Sequence, residues 1–133
     1  MATWRDFLTE ALKFREVARE FNRPGYTNQA VSNAVHATIA ANDAVCLRLL
    51  NERPGGENHS EAVRVLTRAC KRTPWEHEAS QRGRQLTRVL QQKNASQYHG
   101  SPLSQATAER VMRQAERFVD WVENVLTSPD PGR

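Results

Sequence analysis

The chain is poor in the residues that punctuate loops. Its 133 residues include six glycines and six prolines, lying between periodic stretches. A many-turned β fold needs more of both, so the scarcity favours helices. There are two cysteines, Cys46 and Cys70, far apart and in no metal-ligand spacing. They read as reduced, buried thiols behaving as small hydrophobes. No stretch is long and apolar enough to cross a membrane. Residues 1–10 carry both charge signs and no apolar core of a secretory leader, so the expectation is a cytoplasmic protein without membrane attachment. Asn94-Ala95-Ser96 matches a glycosylation acceptor, which carries no meaning without secretion. The chain has no glycine-rich phosphate loop, nucleophile elbow or convincing serine or cysteine triad, and "PGGEN" lacks the flanking pattern. His36, His59, His77 and His99 fall on different expected elements, outside any zinc motif. Neither a metal nor a cofactor is expected.

What is present is a domain-sized chain with helical periodicity throughout. Residues 2–22 keep apolar side chains three or four apart until "NRPGY" ends the first helix. Residues 28–51 form the second. From Asn28 to Leu47 its only formal charge is Asp43, and a helix without a charged face is usually surrounded by protein. We therefore expect it at the centre. After the turn "ERPGGEN", Asn58 with Glu61 three residues later reads as a capping box for a third helix ending near Arg72. Thr73-Pro74-Trp75-Glu76 opens a fourth, expected to run to about Tyr98, with Gly83 as a soft point. A fifth starts near Ser101 or Ser104 and carries a long apolar side to Leu126. The reading is one all-α antiparallel bundle of about five helices over residues 1–127, followed by a disordered tail, 128–133.

Charge is unevenly spread. The chain is +4 overall, but from Arg64 to Lys93 eight bases stand against two acids. Arg84 and Arg88 lie in this span. Clustered bases release counterions when they neutralise a nucleic-acid backbone, so the span is a candidate phosphate-binding surface; the plainer reading is a solvated helix face.

Two constellations can carry chemistry. "AVHATIAANDAVC" places His36 and Asp43 on one side of the apolar second helix, seven residues apart. That is about 10.5 Å of rise, too far for direct contact. A buried carboxylate needs a partner, and Lys93 is the candidate for Asp43. The pair is either a polar plug fixing helix register or a second wall of a Lys93 cleft. The other constellation is "KNASQYHG", residues 93–100, where Lys93, Asn94, Gln97, Tyr98 and His99 supply donors, acceptors and a group titrating near neutrality. Its plainer reading is a polar helix terminus facing the dipole.

The order of "AVSNAVHATIAANDAVC", "ENHSEAVRVL", "LQQKNASQYHG" and "SQATAERVMRQAERFVDW" resembles that of small bacterial HEPN-domain proteins, from about Leu8 to Leu126. The resemblance implies a helical bundle, commonly a homodimer, in a family with many metal-independent ribonucleases and toxins. Their signature is an Arg, a polar residue after it and a His a few residues on, paired across a shared cleft. Lys93 takes the Arg position, Asn94 the polar position and His99 the His position; Tyr98 matches a tyrosine common there. Lys lacks the planar fork that grips a phosphate, and Gln97 stands four residues after Lys93, where the resemblance implies a His in close relatives. The implied roles are base or acid for His99, charge stabilisation for Lys93 and orientation for Asn94. Expected partners are RNA or a nucleotide, a second copy, and a cognate protein. The rivals are a non-catalytic assembly module and an antitoxin-like partner-binding protein.

Overall fold

The computed structural model describes residues 1–94 and 102–129. Among them are five α-helices and no strand: α1 (Trp4–Glu20), α2 (Thr27–Leu50), α3 (His59–Cys70), α4 (Ala79–Leu90) and α5 (Gln105–Thr127). The all-α bundle read from the periodicity is what the chain forms.

Local signals set most of the boundaries. At the start of α1 the Asp6 carboxylate accepts the Thr3 N–H at 2.7 Å. Asn58 Oδ1 accepts the Glu61 N–H at 2.9 Å, satisfying one of the unpaired donors that open α3. Glu61 itself turns to Arg64. Ser104 caps α5 by accepting the Thr107 N–H at 3.1 Å. Of the two starts expected for that helix, Ser104 is the one used.

Helix α2 runs through the middle, with 14 of its 24 residues buried. It packs on α1, α5, α3 and α4. Its alanines let neighbouring backbones come close. One apolar core joins all five helices, with Phe118, Leu66, Leu86 and Leu90 among its largest fully buried side chains. Two contacts tie the start of α2 to the approach to α5: Thr27 Oγ1 donates to the Leu103 carbonyl at 2.7 Å, and Leu103 N–H donates to Asn28 Oδ1 at 2.8 Å. On the outside, Arg15 of α1 reaches Glu116, Asp120 and Glu123 of α5, and Arg19 reaches Glu116.

The fourth helix is shorter than its sequence suggests. Thr73 Oγ1 accepts the Trp75 N–H at 3.2 Å, so the start signal makes a turn. A single 3-10 turn, Glu76–Glu78, follows before α4 begins at Ala79. "EHE" offers no apolar residue to pack, which leaves that turn on the surface. At the other end a turn at Gln91 and Gln92 separates Lys93 and Asn94 from α4. Gly83 is not merely a soft point. It is buried, and a Cβ there would lie 3.1 Å from Val63 Cγ1, so its bareness lets α3 and α4 approach.

Candidate functional site

The seven-residue spacing of His36 and Asp43 has a partner spacing on α1. Phe14 of α1 stacks against His36, ring centroids 5.3 Å apart. Seven residues earlier, the Phe7 ring carries the Arg53 guanidinium at 4.6 Å, and Arg53 Nε donates to Asp43 Oδ2 at 3.0 Å. As α1 runs back, α2 runs forward, so the Phe14–His36 contact and the Phe7–Arg53–Asp43 contact are two rungs of one antiparallel packing.

Asp43 is 1% exposed. Its two oxygens are taken by Arg53 and by the Gly55 N–H, at 2.8 Å. The expected partner, Lys93, is replaced by these two groups from the α2–α3 turn. The turn can fold back because Asn51 and Gly55 adopt left-handed backbone, φ 57° and 69°. Burial nevertheless raises the Asp43 pKa, outweighing the Arg53 and Gly55 hydrogen bonds.

Lys93 reaches the same turn from the other side. Its ammonium donates to the Gly56 carbonyl at 3.2 Å. Asp43 and Lys93 are thus linked through residues 53–56 rather than by direct contact. Gly56 sits against Ile39, a position where a Cβ would fall 2.4 Å from Ile39 Cδ1. The half-buried His36 has its pKa lowered, first by burial and then by the Lys93 charge. Its imidazole is therefore held neutral more firmly than a free histidine. Asn94, next to Lys93, is exposed. Gln97, Tyr98 and His99 lie outside the described residues.

The basic span divides into two kinds of arginine. Arg64 pairs with Glu61, Arg68 with Glu52 and Arg82 with Glu78. Arg84 and Arg88 are exposed one turn apart on α4. Among the described residues neither is paired with a carboxylate; Arg84 donates to Ser80 Oγ at 2.9 Å. Clefts flank this face on both sides, one against α3 and one against α5. The sequence reading missed Arg53, although it is the only base in "ERPGGEN". It also missed Arg110 and Arg113, which α5 brings beside Arg88. Among the described residues no three His, Cys, Asp or Glu side chains gather as a metal site would require.

A helical bundle with an unpaired arginine face on α4, leading through a turn at Gln91 and Gln92 toward Lys93 and Asn94, is the class that fold and surface define. Residues 4–125 match the family model of the HEPN domain, nearly the whole chain, and the protein belongs to that family. No curated protein and no solved structure matches it. No helix among the described residues is long and apolar enough to cross a membrane.

Proposed function

We propose that this HEPN protein binds RNA along the exposed face of α4 and acts on it, as a homodimer, through Lys93, Asn94 and His99. The observation that carries the reading is the pair Arg84 and Arg88. They stand in solvent without acidic partners while neighbouring Arg64, Arg68 and Arg82 are neutralised. Phosphates are the counterions such a face takes up. The reaction would be metal-independent cleavage. His99 takes the ribose 2′-hydroxyl proton or protonates the leaving oxygen. Lys93 offsets charge on the phosphorane, and Asn94 orients the phosphate. Gln97 and Tyr98 would contact the strand beside them. Family membership supports an RNA-directed role.

One observation favours a second reading, a non-catalytic binding or assembly module or an antitoxin-like partner. Lys93 is anchored to the Gly56 carbonyl and lacks the guanidinium fork. The test of the first reading is binding of mixed-sequence single-stranded RNA across a salt series. Reversing Arg84 and Arg88 to Glu should weaken binding and flatten its salt dependence. An unchanged slope would move the footprint elsewhere. No binding at low salt would leave the module reading in place.

A further inference from the structure

Three acids of α5 are taken up by arginines of α1. Glu116, Asp120 and Glu123 turn to Arg15 and Arg19 on α1. Glu109 accepts from Gln105 at 3.4 Å. Arg110 and Arg113 line the cleft that α5 makes with α4, and Arg113 also borders the cleft on the α1 side with Glu109 and Glu116. In the α4 cleft they meet Arg88 across an open space of about 390 Å³ between the C-terminal turn of α4 and the first half of α5. Gln92 and Gln114 line it, Val111 contributes an apolar patch, and no carboxylate is among its lining residues. Among the described residues none of the three arginines is paired with an acid; Arg110 donates to Thr107 Oγ1 at 3.2 Å. Three arginines lining one cleft that has no carboxylate in its lining make it attractive to an anion. Guanidinium forks grip phosphate oxygens in pairs, and the amides of Gln92 and Gln114 can donate or accept beside them.

We infer that the Arg88–Arg110–Arg113 cleft is a subsite for successive phosphates of a single RNA strand. It continues the α4 face past Arg88 and holds the strand alongside the turn that leads to Lys93. This inference rests on the RNA-binding reading above but adds a surface on α5 that the reading does not need.

The test measures affinity for a fluorescent single-stranded RNA of mixed sequence over a salt series. It compares the full chain, Arg110→Gln with Arg113→Gln, and a distant control, Arg5→Gln with Lys13→Gln on α1. All four positions are exposed, and a thermal melt by circular dichroism confirms that each protein is folded. The log-log salt slope changes by about 0.7 for each single-strand phosphate that is no longer neutralised. Leaving two phosphates without their arginines should therefore flatten the slope by about 1.4 and weaken binding about 25-fold at 0.1 M salt, taking 1 M as reference. The control should move neither quantity by half as much. If the α5 pair binds like the unaltered chain while Arg84→Glu with Arg88→Glu weakens binding, RNA binding stands and the subsite is wrong. Equal weakening in the control would show general charge attraction and would also overturn it. If the unaltered chain binds no RNA, both readings fall.

Discussion

Replacing Asp43 by alanine removes the acceptor of two bonds, from Arg53 Nε at 3.0 Å and from the Gly55 N–H at 2.8 Å. The Arg53 side chain is 58% exposed, so it is not stranded as a buried cation; water replaces the carboxylate, and its ion pair contributes little. The Gly55 N–H has less access and loses its only acceptor in the turn. Losing that bond costs about 1–2 kcal/mol, and collapse of residues 53–56 onto the site weakens their packing further. Against this, the alanine protein no longer buries a carboxylate. The expected net destabilisation is about 1–3 kcal/mol in urea melts at neutral pH. Asp43→Asn keeps one acceptor and should cost less. That cost should also show a definite pH dependence. The folded-state pKa of Asp43 is raised by burial. The stability this group contributes is therefore fully present below the unfolded carboxylate pKa near 3.9, and is lost as pH rises through the folded value. The gap between the natural chain and Asp43→Asn should be wider at acid pH and narrow as pH rises. A cost for Asp43→Ala below about 0.5 kcal/mol, the range of ordinary surface changes, would refute the reasoning. So would a gap that widens with pH.

Because the His36 pKa is lowered, its stabilising contribution is present above the unfolded value near 6.5 and disappears as pH falls through the folded one. His36→Gln should flatten that acid limb, as read by denaturant melts between pH 5 and 8 and compared with the natural chain. Lys93→Met should raise the His36 pKa by removing the second of its two causes, followed by the imidazole proton shifts in an NMR titration. An unmoved His36 would show that Lys93 does not face it in solution. Gly56→Ala forces a methyl onto Ile39 and should cost about 1–3 kcal/mol; Ile39→Ala in the same chain should recover part of the loss, and no recovery would place the strain elsewhere.

The fold was legible because its signals are local and repeated. The alanine-rich, nearly charge-free stretch from Asn28 to Leu47 could only be a central helix, and Asn58 and Ser104 cap as their side chains dictate. The fourth helix was less legible at both ends. Periodicity carries through "EHEASQRGRQ" without showing that Glu76–Glu78 winds more tightly, and Leu86–Leu90–Lys93 keeps its spacing across a turn that ends the helix. The candidate site was legible as a set of residue types but not as contacts. That Asp43 needed a partner followed from its burial. That Arg53 and Gly55 supply it depends on the left-handed residues Asn51 and Gly55 folding the turn back, which one sequence does not reveal. The cleft beside Arg88 depends on how α5 is rotated, and its alternating charges hide that rotation.

The most direct test of the central claim is incubation of mixed-sequence RNA with the purified chain at neutral pH in excess chelator, beside a 2′-deoxy strand. The account predicts that the RNA is cut and the deoxy strand stays intact. It predicts that His99→Ala and Lys93→Ala abolish cutting while the bundle stays folded, and that Lys93→Arg preserves or raises it. An intact RNA that Lys93→Arg fails to render cleavable would contradict the nuclease reading. Cutting that survives His99→Ala would contradict the placement of the base and turn attention to His36, the neutral imidazole beside Lys93.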